Sequence, residues 1–466
     1  MNPISPLQTD SQNLPALLQL ARDEAARFLS DVAARPANAS WDGPAPARLP
    51  ARGLGAKQAL QNFTQIYGDA MSGSAGPRYF GFVTGGSTPA ALMGDWLTSA
   101  YDQNASDRTS MAAAHIEASA TSLLRELFGL PDDFAGRFVS GATMSNFVGL
   151  AIGRQWWGAQ HGQNIAADGL GGLPTPIVLS GSPHSCVYKS LSMLGMGKAS
   201  LRPVPTLPDR EAVNTAALKR ALQELAGQPC IVVANAGVVN TVDFDDLEAI
   251  AQLKREFNFY LHVDAAFGGF AACSPKYRHL VAGWEAADSI AIDAHKWLNV
   301  PYDSAVQFTR HPNWQAEVFQ NAGAAYLGEP NAADALHLTP ENSRRLRALP
   351  VWFTLMAYGA EGYREMVEAS CACAKLLEER IAGSSAFRLL APARMNVVPF
   401  TLGEAGASAE QVAQFLQRLR DGGQTFLSPT VYKGVAGMRA AFSNWRTQPA
   451  DVEIAWRGML DAARGM

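Results

Sequence analysis

Short apolar runs separated by polar, glycine or proline residues characterise the central part of the chain. Examples of these runs are Arg137–Val139, Ile177–Leu179, Ile231–Ala234, Tyr260–Val263 and Ser289–Ile292. Because each run is short, mainly apolar and bounded by Gly, Pro or polar residues, the runs are typical of strands buried in a parallel α/β sheet. The segment Asp245–Phe257 has helical spacing and leads into the predicted strand Phe259–Asp264, which is the order of a βαβ unit. The pattern therefore predicts an α/β fold.

The two ends of the chain have a different pattern. Residues 14–35 carry apolar residues at helical spacing, and the Pro-, Ala- and Gly-rich residues 36–50 predict a linker. After residue 350 the spacing predicts a helix over 352–381, a mixed region over 387–402 and a helix over 409–420. We therefore predict three parts: an N-terminal helical arm (1–107), a large domain (108–350) and a small C-terminal α+β domain (351–466).

Composition narrows the class of protein. The 466 residues are 48% hydrophobic with a net charge of -4, which excludes disorder as the dominant state. The small net charge predicts neither nucleic acid nor a membrane as a partner, and no apolar run is long enough to span a bilayer. The N-terminus lacks the features of a secretory signal. Five cysteines, including an isolated C-x-C at Cys371 and Cys373, predict no metal site and fit a reducing, cytoplasmic setting.

The candidate chemistry lies in HVDAAFGG (His262–Gly269) and DAHKWLNVP (Asp293–Pro301). Asp264 and Lys296 each follow an apolar run, and ligand groups in open α/β sheets gather at the carboxyl ends of strands. A lysine beside a buried carboxylate suits an aldehyde cofactor: the lysine holds the aldehyde as a Schiff base, and the carboxylate keeps a pyridine nitrogen protonated. The small Ala266 leaves room for a flat ring. The spacing alone fits a buried ion pair equally well.

Two further segments carry chemistry-bearing residues. In FVSGATMSNFVGLAIGR (Phe138–Arg154) a predicted strand ends at Ser140 and a predicted helix begins near Ser145. Free backbone N–H groups at such a turn and helix start form a seat for an anion. In LSGSPHSCVYKS (Leu179–Ser190) the histidine His184 follows a predicted strand. Taken alone, His184 also fits a hydrogen-bonded loop residue.

Together these segments resemble the PLP-dependent group II amino-acid decarboxylases, the family of the aromatic-amino-acid, glutamate, histidine and cysteine-sulfinate enzymes. The Asp-Ala-Ala and His-Lys-Trp segments match this family in type, order and separation, and the resemblance extends from about Pro77 to Thr447. It implies pyridoxal 5'-phosphate as cofactor and the aspartate-aminotransferase-like fold type I, with a mostly parallel seven-stranded sheet in the large domain. It also implies a homodimer whose active sites use residues from both subunits.

The resemblance assigns the cofactor site residue by residue. The residues implied in cofactor binding are Ala142, Thr143, His184, Asp264, Ala266, His295 and Lys296. Lys296 would form the Schiff base and Asp264 would contact the pyridinium nitrogen. His184 belongs to a His-x-Ser-x-x-Lys pattern, with Cys186 where serine is usual and Lys189 in place, and would stack on the ring and take part in catalysis. Ala142, Thr143 and His295 would hold the phosphate.

The substrate site is also implied by the resemblance. Arg439, in GMRAAFSNWRT, would bind the substrate carboxylate, because a guanidinium forms two parallel hydrogen bonds with a carboxylate. Phe80 and Phe82, beside Tyr79, would line the pocket for the substrate side chain. Ordinary core packing is the alternative for each aromatic residue. We expect Arg446 at the surface or at an interface.

The chain departs from the family pattern in two places. Gly237-Val238-Val239 stands where many relatives have Gly-Thr-Thr, with Asn235 or Asn240 as candidates to replace the lost hydroxyl. The loop 321–344 has Tyr326 near its start but lacks the later tyrosine with which aromatic decarboxylases protonate Cα. His337 is present there and is our candidate proton donor, or else a solvated loop histidine.

We therefore predict a decarboxylase that converts an L-amino acid to its amine and CO2, with the aromatic residues at 79–82 favouring an aromatic substrate. A decarboxylating oxidative deaminase that yields an aldehyde is the alternative if the proton donor is missing. An acidic substrate would need a further arginine, for which Arg78 is the candidate. A lyase acting on a phosphorylated amino alcohol would need a second phosphate pocket, and a binding protein without activity would not need the full set of site residues.

Overall fold

Two β-sheets form the framework of the computed structural model, which describes residues 5–45, 48–105, 111–321 and 334–466. In chain order the strands are β1 (Ala135–Val139), β2 (Val178–Ser180), β3 (Leu201–Pro203), β4 (Cys230–Asn235), β5 (Phe259–Asp264), β6 (Ser289–Ile292), β7 (Ala305–Thr309), β8 (Phe387–Leu389), β9 (Val397–Leu402), β10 (Ser428–Tyr432) and β11 (Val435–Ala441). The first seven strands form one sheet, in the order β1-β7-β6-β5-β4-β2-β3, and the last four form another, in the order β10-β11-β9-β8.

Helices cover both faces of the larger sheet and one face of the smaller. They are α1 (Pro6–Gln12), α2 (Leu14–Asp31), α3 (Ala56–Tyr67), α4 (Pro89–Tyr101), α5 (Met111–Phe128), α6 (Ala142–Gln160), α7 (Ile165–Asp168), α8 (Ser185–Met193), α9 (Thr215–Glu224), α10 (Leu247–Glu256), α11 (Ala294–Trp297), α12 (Pro312–Phe319), α13 (Ala348–Ala382), α14 (Ala409–Asp421) and α15 (Pro449–Ala463). Short 3-10 turns lie at Lys198–Ser200, Gly268–Cys273, Arg278–Val281, Trp284–Ala286 and Ala335–His337.

The seven-stranded sheet is mostly parallel, which confirms the predicted fold class. Strands β3, β2, β4, β5 and β6 run parallel to one another, whereas β7 is antiparallel to both β6 and β1. Every residue of β4, β5 and β6 is buried, as a sheet covered on both faces requires. The helix α10 connects β4 to β5, so the predicted crossover is present and the carboxyl ends of the central strands meet at one edge.

The four-stranded antiparallel sheet belongs to a second core near the C-terminus. Phe387 lies at the centre of this core, with its ring edge-on to Phe400 and Phe415. The long helix α13 contacts both this core and the helix α4, and it bends at Gly359, whose φ of 58° is left-handed. The predicted boundary between residues 350 and 351 falls in the first turn of α13.

The N-terminal helices α1, α2 and α3 contain no buried residue. Several large apolar side chains on α2 and α3 are exposed, among them Leu14, Leu18, Phe63 and Ile66. An exposed apolar surface on a folded chain is typical of a contact with another protein chain. None of the described helices is both long enough and apolar enough to cross a bilayer.

A buried ion pair joins the segment just before α13 to the helix α5, and it provides a stability test. Arg344 donates to Glu117 on α5 at 2.7 Å and to the carbonyl oxygens of Phe138 and Ala105. Because the Arg344→Met change leaves the Glu117 carboxylate buried without its partner, we expect the free energy of unfolding to fall by about 3–5 kcal/mol. Urea denaturation of the full-length protein measures the loss.

The neighbouring arginine supplies the matched control. Arg345 pairs with Asp95 at 2.7 Å, but both side chains are solvent-exposed in part. Surface pairs contribute about 0–1 kcal/mol, so Arg345→Met should change stability by no more than that. Equal losses for the two variants would contradict the importance of burial at Arg344.

Candidate active site

A cavity of about 320 Å³ lies at the carboxyl ends of β4, β5 and β6, where ligand sites of open α/β sheets occur. Each of these three strands contributes a polar residue to it: Asn235 at the end of β4, Asp264 at the end of β5, and Asp293 just after β6. The full lining consists of Phe82, Val83, Gly141, Ala142, Thr143, His184, Cys186, Asn235, Gly237, Val238, Val239, Asp264, Ala266, Phe267, Asp293, His295, Lys296, Tyr302 and Arg439. The cavity therefore brings together all seven residues that were predicted to bind the cofactor.

Lys296 lies on the short helix α11, next to a buried carboxylate. Its Nζ is 3.3 Å from Oδ2 of Asp293, and Nε2 of His295 is 3.0 Å from the other oxygen of the same carboxyl. Burial opposes ionisation of Asp293, but Lys296 and His295 nevertheless hold its pKa below the usual value. Asp293 was not among the predicted site residues, although it is the first residue of the DAHKW motif.

Asp264 is held by hydrogen bonds on both of its carboxylate oxygens. Nδ2 of Asn146 donates to Oδ2 at 3.1 Å, and the backbone N–H of Ala266 donates to Oδ1 at 3.2 Å. The side chain belongs to the last residue of β5, so the sheet fixes its position and the two donors fix its orientation.

His184 begins the helix α8, and its ring is open to the cavity. Nδ1 accepts a hydrogen bond from the backbone N–H of Cys186, so His184 serves as the N-cap of α8. The surrounding protein desolvates the imidazole and lowers its pKa, which favours the neutral ring. Burial also raises the pKa of the Cys186 thiol to about 12, so this residue is a neutral thiol at physiological pH.

The N-terminus of α6 opens into the same cavity. The helix starts at Ala142, three residues before the predicted start near Ser145, and the preceding Gly141 has no side chain with which to cap it. Gly141, Ala142 and Thr143 line the cavity, so the first-turn N–H groups lie where an anion can reach them. The helix dipole favours negative charge at the same position.

Arg439 on β11 is the one cavity-lining residue that the smaller sheet contributes. Its side chain is 6% exposed, and its Nη1 donates to the carbonyl oxygen of Phe82 at 2.9 Å. Burial lowers the pKa of Arg439 to about 10, so the guanidinium is still charged at neutral pH. A buried cation with donors left over is suited to binding a carboxylate.

The segment 77–89 bonds to β11 at Phe80 and to Asn299 at Thr88, and its two residues that were predicted to contact substrate lie in different places. Phe82 lines the cavity, but Phe80 does not: it is 2% exposed and packs against Phe442 in the smaller core. The two rings point in different directions because Phe82 has a left-handed φ of 55°. Farther along, Gly85 touches α11 so closely that a Cβ atom there would lie 1.8 Å from the carbonyl oxygen of Lys296.

Several other candidates lie away from the cavity. His337 is 3% exposed and its Nδ1 accepts from the backbone N–H of Asn321, so it is neither a solvated loop residue nor a cavity-lining one.

Arg78 donates to Asp451 and to two backbone carbonyls, and Asn240 donates to Glu211. Tyr326 lies outside the described residues. Arg446 stacks on Trp445, with the guanidinium carbon 4.4 Å from the ring centroid.

Two aspartates that follow β4 are buried and hydrogen-bonded outside the cavity. Asp243 pairs with Arg210 and Arg394, while Asp245 accepts hydrogen bonds from the backbone N–H groups of Val213 and Asn235. The residue that caps α10 is Asp246. The arginine partners come from distant parts of the chain, so no local pattern could indicate them.

The cavity residues fit pyridoxal 5'-phosphate. A primary amine, a carboxylate, an uncapped helix N-terminus and an imidazole line one cavity, which are the groups that an aldehyde, a pyridine nitrogen, a phosphate and a ring face require. The small side chain of Ala266 leaves space beside Asp264. Within the described ranges, no three His, Cys, Asp or Glu side chains gather in the manner of a metal site.

Comparisons with known proteins agree with this fit. The pyridoxal-dependent decarboxylase conserved domain matches residues 43–403. An aromatic-L-amino-acid decarboxylase of Drosophila lebanonensis is 32% identical over 292 residues, which are 61% of this chain and 71% of that protein. A phenylacetaldehyde synthase of Petunia hybrida is 25% identical over 419 residues, which are 84% and 81% of the two chains.

The fold comparison extends over nearly the whole chain. The crystal structure of Oryza sativa TDC with PLP and tryptamine has a TM-score of 0.89 and 24% sequence identity, and the alignment covers 99% of each chain. The family match and the fold thus point to the same group of enzymes. The chain belongs to the pyridoxal-dependent decarboxylase family, the group II amino-acid decarboxylases, and is a carboxy-lyase whose cofactor is pyridoxal 5'-phosphate.

Proposed function

We propose that the protein converts an aromatic L-amino acid to its amine and CO2. The observation that carries the proposal is the cavity itself, in which Lys296, Asp264 and a buried, charged Arg439 share one space with an apolar wall. That wall includes Phe82, Phe267, Val238, Val239 and the ring of Tyr302. Aromatic and aliphatic surfaces suit an aromatic side chain by burying its apolar area.

When bound, pyridoxal phosphate supplies an electron sink for the pair of electrons left behind as CO2 departs. In this proposal Lys296 would hold the aldehyde of the bound cofactor covalently. Asp264 accepts the hydrogen bond of the ring nitrogen and so keeps that nitrogen protonated. The first-turn N–H groups at Ala142 and Thr143, together with His295, hold the phosphate, and His184 stacks on the ring.

Arg439 orients the substrate in this proposal. Its guanidinium binds the substrate carboxylate, which fixes the direction of the bond from Cα to that carboxylate before it breaks. Because the arginine is buried and the carbonyl oxygen of Phe82 holds its Nη1, its position is set before substrate arrives. Preorganised charge of this kind acts without rearrangement during the reaction.

Replacing Arg439 provides a test of this assignment. The Arg439→Lys variant keeps the charge but loses the planar pair of donors, so kcat/KM should fall roughly 100-fold, mostly through a higher KM. Steady-state kinetics on the best substrate measures the change. Arg446→Lys is the matched control, because Arg446 lies on the same segment but outside the cavity. An unchanged KM in Arg439→Lys would contradict carboxylate binding.

We retain His337 as the proposed donor of the proton to Cα. Nδ1 of His337 accepts a hydrogen bond from the backbone N–H of Asn321, and the proton-donating form of the ring is the imidazolium, so this bond must break and Nδ1 must be protonated before Nε2 can donate. Since His337 does not line the cavity, the role requires movement of its segment or an approach to the cavity of a partner subunit. His337→Gln should then shift products from amine towards aldehyde.

An acidic substrate has less support. Arg78, the arginine considered for a second carboxylate, is already engaged with Asp451 and with backbone carbonyls. In the part of the chain that the structure describes, Arg439 is the single arginine that lines the cavity. A negatively charged substrate side chain would therefore lack a second arginine there.

A product assay tests the proposed reaction. The purified protein with pyridoxal phosphate is incubated with the common L-amino acids and with acidic and hydroxylated analogues, and amine, aldehyde, ammonia and peroxide are measured together. Amine and CO2 without peroxide are expected, with the highest rate on an aromatic substrate. Aldehyde, ammonia and peroxide in equal amounts, formed at the expense of O2 and water, would instead support the oxidative alternative, and a preference for acidic substrates would contradict the aromatic assignment.

We also propose that the protein is a homodimer that works in the cytoplasm without a nucleic-acid or membrane partner. The exposed apolar side chains on α2 and α3 support a contact with a second chain. All five cysteines are free thiols, and four of them are buried, which suits a reducing compartment. Light scattering of the purified protein tests the dimer.

A further inference from the structure

Three buried polar side chains form a continuous row of hydrogen bonds behind Asp264. Nδ2 of Asn146 donates to the Asp264 carboxylate at 3.1 Å, and Oδ1 of Asn146 is 2.7 Å from Nε2 of His262. Nδ1 of His262 is in turn 2.7 Å from Oγ of Ser289. Asn146, His262 and Ser289 are all fully buried, and none of them lines the cavity. We call these three residues the support row.

The chemistry of the groups and the burial of the ring together set the hydrogen bonds in the support row. An amide oxygen only accepts, so Nε2 of His262 carries a hydrogen. Burial lowers the pKa of His262 to about 4, so the imidazole is neutral, and Nδ1, which then carries no hydrogen, accepts from the Ser289 hydroxyl. With its oxygen facing His262, Asn146 can present only its N–H groups to Asp264.

A second contact supports this orientation of the Asn146 amide. Nδ2 lies 3.3 Å from the Cys186 sulfur as well as 3.1 Å from Oδ2 of Asp264, so both of its hydrogens point at acceptors. The reversed amide would place its oxygen against the carboxylate oxygen.

Close packing holds the support row in place. Gly149 lies one turn after Asn146 on α6, and a Cβ atom there would be 2.5 Å from Cε1 of His262 and 3.0 Å from Oγ of Ser289. The absence of a side chain at Gly149 lets α6 approach β5 and β6 closely enough for the three polar groups to meet. A helix, two strands and one glycine thus define the position of the Asn146 amide.

We infer that Asn146, His262 and Ser289 are positioning residues, which present donors only to Asp264 and so aim its carboxylate at the ring nitrogen of the cofactor. The inference rests on the role proposed above for Asp264. The support row touches neither cofactor nor substrate and acts through Asp264. Small errors in the position of a reacting group reduce rates by up to about a hundredfold. Accurate positioning of Asp264 therefore compensates for the free-energy cost of burying three polar side chains.

Two replacements of His262 separate positioning from space filling. The amide nitrogen of glutamine can take the place of Nε2 and still donate to Asn146, whereas phenylalanine fills the space of the imidazole without a donor. The Phe variant leaves Oδ1 of Asn146 unsatisfied and allows the amide to reverse towards Asp264. If His262 only fills space, the apolar Phe variant should be tolerated better than Gln. If His262 positions the Asn146 amide, the Gln variant should be tolerated better than Phe.

The experiment titrates each apoprotein with pyridoxal phosphate and follows the visible absorbance of the bound cofactor across pH. For His262→Phe we expect the dissociation constant to rise about tenfold, a displaced absorbance midpoint, and a kcat that falls roughly 10- to 100-fold at unchanged KM. His262→Gln should stay within about threefold of wild type in each measure. Equal behaviour of the two variants, or tighter binding by Phe, would overturn the inference.

A milder pair of variants keeps the test valid if the His262 variants fold poorly. Ser289→Ala removes the hydroxyl that fixes the His262 tautomer and should displace the absorbance midpoint in the same direction as Phe. Ser180→Ala is the matched control, since Ser180 is also a buried strand serine but bonds to the carbonyl of Val233. A displaced midpoint in Ser180→Ala but not in Ser289→Ala would also overturn the inference.

The outcome is distinguishable from a failure of the proposed reaction. If no amino acid is turned over but Gln exceeds Phe in cofactor affinity, the inference stands and the assigned substrate fails. If Asp264→Asn leaves both the cofactor affinity and the absorbance titration unchanged, the role of Asp264 fails, and the support row has nothing to position.

Discussion

The Lys296→Ala variant is expected to lose turnover by roughly a thousandfold or more, because it removes the amine that holds the cofactor aldehyde and later releases the product. Lys296 is the one lysine in the cavity lining, and its Nζ is held 3.3 Å from the Asp293 carboxylate. No other lysine in the described residues lines this cavity. Single-turnover and steady-state assays of amine formation measure the loss.

Two further variants define the origin of this loss. Lys296→Arg keeps a positive charge beside Asp293 but cannot form the covalent link, so it should be as inactive as the Ala variant. Lys198→Ala, at an exposed lysine outside the cavity, should keep wild-type turnover. Activity above a tenth of the wild-type value in Lys296→Ala would show that the lysine has no covalent role.

Replacing Asp264 by asparagine should reduce kcat roughly a thousandfold while preserving the shape of the side chain. The change removes the charge that keeps the ring nitrogen protonated, so the developing negative charge on the substrate is no longer stabilised. The loss should appear in kcat and in the visible absorbance of the bound cofactor. The substrate KM, which depends on Arg439, should change little.

A cofactor analogue provides the control for this variant. An analogue of pyridoxal phosphate with carbon in place of the ring nitrogen cannot form the contact with Asp264. When both proteins carry this analogue, the difference between wild type and Asp264→Asn should disappear. A thousandfold difference that persists with the analogue would mean that Asp264 acts on the structure of the site and not on the ring nitrogen.

Much of the site could be predicted from the sequence because its residues follow recognisable apolar runs. The strand that ends at Asp264 and the motif around Lys296 predicted that both residues meet at one sheet edge, and the cavity lies there. Strand β7 was missed because its apolar residues alternate with Gln307 and Thr309, which are buried and hydrogen-bonded within the protein. Alternation suggests an exposed face, but tertiary contacts satisfied these polar groups instead.

Contacts between distant segments explain the remaining differences. The start of α6 was placed too late because its N-cap is Gly141, which has no capping side chain, whereas Thr143 is a residue type that often precedes the first turn of a helix. Phe80 and Phe82 were assigned the same role because the family resemblance covers their segment as a whole. The positive φ at Phe82 turns its ring away from the direction of the Phe80 ring, and no sequence pattern nearby indicates this conformation. The support row was not predicted because His262 reads as part of an apolar strand.

The backbone at Phe82 has a consequence for anyone who redesigns this enzyme. Its ring lines the cavity while its carbonyl oxygen accepts from Arg439, so the side chain can be exchanged without removing the backbone contact that holds Arg439. The left-handed conformation, however, restricts the exchange to residues that adopt positive φ at low cost, chiefly glycine, asparagine and aspartate. A directed-evolution library at this position should therefore contain only a few, mostly polar residues. Variants with β-branched residues should fail because they fold poorly, and not because they bind substrate poorly.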